Sequence, residues 1–281
     1  MNKKLFLASV IFCFAATMGQ LIGQTNSCGT YISNSQKNLE TKFTITEGTP
    51  TQSLPQVNRT ISIAAFIVKE RNSPYFKTNL DSIVSILNVN FRPIALSFKI
   101  CSKTIVNNFQ FDNINPSLNT KDLTVQYAEQ NTINLYLVSG LIDKKGSSVC
   151  GYTYMPGDTG KNYIFMNKGC INSTSLTHQL GHFFNLYHTN ETEFGEELPD
   201  GTNCNTAGDR CCDTNASPDL SITGMVTNCI YTGTVKRSTQ LFSPSTKNMM
   251  ALSSDICRCN FSRTQFLRIL QALNNYRNYL R

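Results

Sequence analysis

The sequence predicts an α/β chain of the α+β kind, with a twisted-sheet upper part and an irregular, disulfide-linked lower part that ends in a helix. Three observations predict it. Runs of strand character at 61–69, 94–100, 133–138 and 163–166 are interleaved with helical patterns. The stretch from 190 to 255 is rich in Gly, Asn, Thr and Cys and has little periodicity. The chain then closes on Phe266, Ile269, Leu270, Leu273 and Tyr276, an apolar stripe at helical spacing.

The elements follow in order. Met1-Asn2-Lys3-Lys4 precedes an uncharged run from Leu5 to Gly19, the pattern of a secretory signal peptide ending by residue 24. Residues 25–59 are polar, carry Pro50 and Pro55, and read as a linker or short pro-segment ahead of one domain at 60–281. In that domain Ile61–Lys69 is a β-branched, aromatic strand. Leu80, Val84 and Leu87 share a helical face behind Asn79, a residue suited to N-capping. Ile94, Leu96, Phe98 and Ile100 alternate with smaller or polar residues, as a strand with one apolar face does. Ile133–Val138 and Tyr163–Met166 are the remaining strands. Ser262 and Gln265 form a capping-box pair at the last helix.

Charge and cysteine content set the setting. Of 281 residues, 25 are Lys or Arg and 18 are Asp or Glu. The excess is scattered, so no nucleic-acid footprint is expected. No stretch after the signal is long and apolar enough for a membrane span. Cys13 leaves with the signal, and the other ten of the 11 cysteines suit an oxidising compartment, secreted or periplasmic, in which most are expected to pair. A thiolate zinc cluster is disfavoured because paired C-x-x-C knuckles are missing.

All 3 histidines fall in one window, Leu176-Thr177-His178-Gln179-Leu180-Gly181-His182-Phe183-Phe184-Asn185-Leu186-Tyr187-His188-Thr189. His178 and His182, spaced i, i+4, share a helix face one turn apart, as a metal clamp requires. His188 joins them only if the chain turns back near Asn185, a residue type that tolerates positive φ. Three neutral imidazoles leave a fourth zinc position open, the layout of a catalytic site. No G-x-S-x-G elbow offers a competing nucleophile.

This H-x-x-x-H-x-x-x-x-x-H pattern resembles that of the metzincin zinc peptidases, and the words around it resemble the pappalysin branch. Those words are Leu176-Thr177-His178, Leu186-Tyr187-His188-Thr189, Gly208-Asp209 with Asp213-Thr214, Asn248-Met249-Met250 and Phe261-Ser262. The resemblance implies a zinc ion on His178, His182 and His188, with Met250 in a turn beneath it, and a peptide or protein as substrate or ligand. It also implies that Asp209, Asp213 and Thr214 lie near a structural calcium, although capping and turn roles explain them equally well. Cys28 has two readings: a cap on the zinc in a latent form, or half of a disulfide.

Three positions depart from the family pattern. Gln179 stands where metzincins carry the glutamate that takes a proton from the zinc-bound water, and a neutral amide cannot take it. Asn185 stands in place of Gly. Leu252 replaces a Tyr that stabilises the oxyanion, and Leu donates no hydrogen bond. The expectation is a zinc-binding metallopeptidase-family protein with catalysis severely weakened or lost. The alternatives are an active metalloendopeptidase using another base, for which Glu191, Glu193, Glu196 and Glu197 are candidates, and a non-catalytic peptide- or partner-binding protein.

Overall fold

In a computed structural model of the chain, residues 28–43, 52–70, 77–115 and 120–280 are described. The signal-peptide expectation and Cys13 lie outside the described residues. The central sheet has five strands: β1 (Arg59–Lys69), β2 (Leu96–Asn107), β3 (Ile133–Val138), β4 (Gly151–Thr153) and β5 (Tyr163–Asn167). Their spatial order is β2-β1-β3-β5-β4. The first four in that order run parallel, and β4 pairs antiparallel to β5 at the edge.

Both faces of β1 are covered, as a strand in the middle of a parallel sheet requires. Ile61, Ile63, Ala65 and Ile67 face one way and pack with α2 (Leu80–Phe91), α4 (Ser173–Phe183) and α5 (Arg263–Asn275). Ala64, Phe66 and Val68 face the other way and meet Tyr136, Phe165 and Leu123 of α3 (Lys121–Tyr127). The helix start at Asn79 is as expected, with its side chain accepting a hydrogen bond from the Ser82 amide. At α5 the reciprocal Ser262–Gln265 bonds are both present. The short α3 and β4 carried too little periodicity to be found in the sequence.

The lower part between α4 and α5 holds only two-residue strand pairs, Val226–Thr227 with Ile230–Tyr231 and Lys236–Arg237 with Gln240–Leu241. Disulfides Cys204–Cys212 and Cys229–Cys257 tie it together, and Cys150–Cys170 ties β4 to the loop before α4. Most of the ten cysteines are paired, as expected, while Cys28, Cys101 and Cys211 are free thiols, which corrects the reading of Cys28 as half of a disulfide. Cys211 is buried beside a neighbour already committed to Cys204, and Cys101 is exposed on β2.

Residues 28–43 pack onto the domain. Ser33 caps a helix, α1 (Asn34–Glu40), whose buried residues are Gln36 and Glu40, one turn apart. A helix whose buried side is polar leaves no hydrophobic period in the sequence, which is why this stretch read as a linker. Phe43 follows, buried, with its ring 6.2 Å from that of Tyr276. Among the described residues no helix is long and apolar enough to cross a membrane.

Candidate metal centre

The site is built on α4. Asn172 and Ser175 form a capping box that fixes its start. Its end is a left-handed turn. Asn185 adopts φ +72°, its amide donates to the His182 carbonyl at 3.0 Å, and the Leu186 amide donates to the Gly181 carbonyl at 2.9 Å. That is the Schellman arrangement, and it reverses the chain so that His188 returns to the helix face.

The structure brings together all three histidines and Cys28. Their candidate ligand atoms lie within 4.8 Å of one another. The Nε2 atoms stand 3.2 Å apart for His178–His188, 3.1 Å for His178–His182 and 3.0 Å for His182–His188. The Nδ1 atoms face the other way, His178 toward the Met249 carbonyl and His182 toward the Leu186 carbonyl, each at 2.8 Å. Protonating His182 Nδ1 for its carbonyl leaves a bare lone pair at Nε2, while His178 Nδ1 faces both the Met249 carbonyl and the Arg258 guanidinium; three Nε2 atoms pointed at one another are an arrangement that a cation relieves. Zinc–nitrogen bonds of about 2.0–2.1 Å in tetrahedral geometry put ligand nitrogens roughly 3.3 Å apart, so the donor set fits zinc. Burial holds the His178 imidazole neutral, with its pKa down at about 3.

Met250 is fully buried. Its sulfur packs so closely on Gly181 that a Cβ there would sit 2.4 Å from Sδ. The turn is braced from α5: Asn248 and Gln265 exchange two side-chain bonds at 3.0 and 3.1 Å, and Asn248 Oδ1 accepts from the Met250 amide at 2.8 Å. Thus Gln265, the third helical residue of α5 and the partner of its cap Ser262, also braces the Met249–Met250 peptide whose carbonyl faces His178.

Gln179 points at the sulfur. Its Nε2 donates to Cys28 Sγ at 3.2 Å, and its Oε1 accepts from the Thr30 hydroxyl at 3.1 Å. Gly151 leaves room for it, since a Cβ there would meet the Gln179 side chain at 2.7 Å. Cys28 forms a bridge with Gly151, and the Gly29 amide donates to the Gly151 carbonyl at 2.8 Å, so residues 28–30 lie along the edge of the sheet at β4. The Cys28 sulfur is 3.4 Å from His182 Nε2. Burial raises its pKa, but the charges of His182 and His188 and hydrogen bonds to His178 and His182 bring it well below the usual thiol range.

Of the four glutamates considered as substitute bases, two are held in ion pairs, one lies near enough to His188 for its charge to raise the imidazole pKa, and one is buried without a partner among the described residues. Glu193 pairs with Lys37 and Glu196 with Arg237. Glu191 accepts from its own loop's Thr192 and Glu193 amides. Glu197 is buried near Asp209, and neither of its carboxylate oxygens has a hydrogen-bond partner among the described residues. The three candidate calcium residues spend their oxygens within the protein: Asp209 accepts from Thr214 and from the Cys211 amide, and Asp213 accepts from Ser262 and from the Thr264 amide at the start of α5. Leu252 follows the Met250 turn and is half-buried.

Sequence reasoning missed Arg258, which has no periodic or motif signal. It is buried, its Nη1 stands 2.8 Å from His178 Nδ1, and it pairs with Asp255. Asp255 in turn accepts from Asn172 at 2.6 Å, linking the cap of α4 to the loop after Met250.

Comparison with known proteins agrees with this geometry. The sequence model of peptidase family M43, described as pregnancy-associated plasma protein-A, matches residues 125–274. The chain is 25% identical over 304 residues to a protein named extracellular metalloprotease from Sordaria macrospora, covering 98% of this chain and 97% of that one. It is 24% identical over 279 residues to another of that name from Arthroderma gypseum, covering 93% and 88%. The solved structure of Tannerella forsythia mature mirolysin in complex with a cleaved peptide superposes with a TM-score of 0.54 at 15% identity. That match covers 82% of this chain and 96% of mirolysin, and it shows the same fold.

Proposed function

The chain belongs to peptidase family M43, that of pregnancy-associated plasma protein-A, and from that membership we propose that it is an exported zinc-binding protein whose peptide-bond hydrolysis is severely weakened or lost. His178, His182 and His188 are the zinc ligands in this reading, and Met250 packs beneath them. The extracellular metalloproteases it resembles and its disulfides support export.

The observation that carries the reading is Gln179. Zinc bound at the three imidazoles would polarise a peptide carbonyl and acidify a water. The chain's own part is to move the proton from that water to the leaving amine, and Gln179 cannot receive it. Losing a general base typically costs about 10²–10⁴-fold in rate. Leu252 supplies no donor for the oxyanion. No glutamate of the 191–197 loop hydrogen-bonds to Gln179 or to an imidazole among the described residues.

The test is zinc stoichiometry together with peptide cleavage by the purified exported chain, with and without chelator. One zinc per chain and no chelator-sensitive cleavage are expected. Chelator-sensitive cleavage at the rate of the Gln179→Glu variant would sink the proposal.

A further inference from the structure

We propose that Arg258 is a positioning residue of the metal centre that weakens the grip of His178 on the metal. A buried cation stands behind one of the three imidazoles, so the donor set is unequal and holds the ion less tightly than three ordinary histidines would. The proposal rests on the zinc reading above and goes beyond it by setting the strength of the site.

The back of a ligand ring decides how good a donor its front is. A zinc-bound histidine ordinarily gives its second ring N–H to a carboxylate, a carbonyl or a water, which fixes the ring and raises its basicity. His182 has that arrangement, with the Leu186 carbonyl 2.8 Å from Nδ1. His178 differs. Its Nδ1 lies 2.8 Å from the Met249 carbonyl and also 2.8 Å from Arg258 Nη1. A guanidinium carries donors only. If Nδ1 gives its proton to Met249, the guanidinium sets a positive charge against the ring without a hydrogen bond to it. If Nδ1 accepts from Arg258, the ring proton sits on Nε2, the atom the metal needs. Both arrangements cost the metal at His178. Nη1 also stands 3.5 Å from the Met249 carbonyl, so an oxygen that would serve the ring alone is shared.

The chain holds the guanidinium there at the expense of the side chain's own donors. Arg258 is buried, and its Nε finds no hydrogen-bond partner among the described residues. The backbone is pinned on either side: Cys257 is bonded to Cys229, and the Cys259 amide donates to the Lys247 carbonyl at 2.9 Å. The counter-charge, Asp255, takes Nη2 and leaves Nη1 to the ring. Asp255 also accepts from Asn172, the cap of α4, and so ties the guanidinium to the start of the helix that carries His178. Of the two charges, the cation is the one in contact with the ring.

The test is the zinc affinity of the full exported chain, stripped of metal and titrated in competition with a chromophoric chelator. Arg258→Met keeps an unbranched side chain without the charge, and is expected to bind zinc about 10–100-fold tighter than the native chain. Arg258→Met with Asp255→Asn removes both charges and leaves the net charge unchanged, and is expected to stay about tenfold tighter than native. Asp255→Asn alone strips the cation of its partner and is expected to bind zinc more weakly. A role in folding alone gives the opposite sign for both Arg258 variants, because loosening the loop costs affinity. The ring nitrogens report the cause directly: with zinc bound, the Nδ1 resonances of His178 and His182 are expected to differ in the native chain and to draw together in the double variant. A double variant that binds zinc no tighter than the native chain overturns the proposal. Should the Arg258 variants fail to fold, either of two results still overturns it: tighter zinc binding by Asp255→Asn, or resonances of the two rings already alike in the native chain. Failure of the zinc reading looks different: the native chain and every variant leave all the zinc with the chelator, and both ideas fall.

Discussion

Glu40 and Arg268 form a two-pronged ion pair, each guanidinium Nη 2.9 Å from one carboxylate oxygen, with both side chains 1% exposed. Arg268 Nε also donates to the Asn185 carbonyl at 3.0 Å. The pair joins the first described helix to the last and ends on the turn that positions His188. Removing one partner of such a pair leaves an uncompensated buried charge, which typically costs about 3–5 kcal/mol. Glu40→Ala is expected to lower stability by that order in denaturant unfolding. Combining it with Arg268→Met is expected to cost less than the two single changes added together. Additive losses would show that the two side chains do not act as a pair.

Gly181 is the closest approach in the metal centre. A methyl group there would stand 2.4 Å from Met250 Sδ, so either the turn or the helix must move. Gly181→Ala is expected to cost about 1–3 kcal/mol through overpacking. It should also weaken zinc affinity, read by competition with a chelator, because Met249 and Met250 move together and the Met249 carbonyl orients His178. Unchanged affinity would show that the turn does not set the ligand geometry.

Restoring the proton acceptor and opening the fourth position together should restore chemistry. The double variant Gln179→Glu with Cys28→Ala is expected to gain chelator-sensitive peptide cleavage of about 10²-fold or more over the native chain. Leu252 still withholds an oxyanion donor, so full family-like rates are not expected; one such donor is commonly worth about 10²–10³-fold. A double variant that binds zinc yet stays as inactive as the native chain would place the block elsewhere in the cleft.

Stability should fall as pH rises through neutrality. Burial, and then the charge of Asp209, push the Glu197 carboxyl from its ordinary 4.5 up to about 8. Burial likewise raises Asp209 from 3.8 to about 7, against the pull of its bonds to Thr214 and the Cys211 amide. Between about pH 4 and pH 8 the fold therefore holds protons that the unfolded chain has released, and stability declines with pH across that window. Glu197→Gln is expected to raise the melting temperature at pH 8, to change it little at pH 4, and to flatten the slope between. A slope unchanged by Glu197→Gln would show that this carboxyl does not drive the decline.

Much of this was legible in the sequence because it is local. Four of the five strands of the sheet announced themselves by apolar, largely β-branched or aromatic runs, and α2 and α5 by their caps and apolar stripes, since capping bonds span only three residues. The histidine spacing and the need for a turn at Asn185 follow from helix geometry alone, and they placed three imidazoles together. Gln179 was visible as a departure, but its partner was not. The bond from Gln179 to Cys28 crosses 151 residues, and that from Arg268 to Glu40 crosses 228. The α1 residues that make such contacts, Gln36 and Glu40, are polar and bury their side chains by pairing rather than by partition from water, so they leave no period to read. Arg258 is hidden for the same reason. The sequence by itself determined the family pattern, the three imidazoles and the missing base. Only the tertiary structure decided that Cys28 faces the same point and that a polar helix packs against the turn before His188, because those pairings depend on chain closure over long loops, which no local pattern encodes.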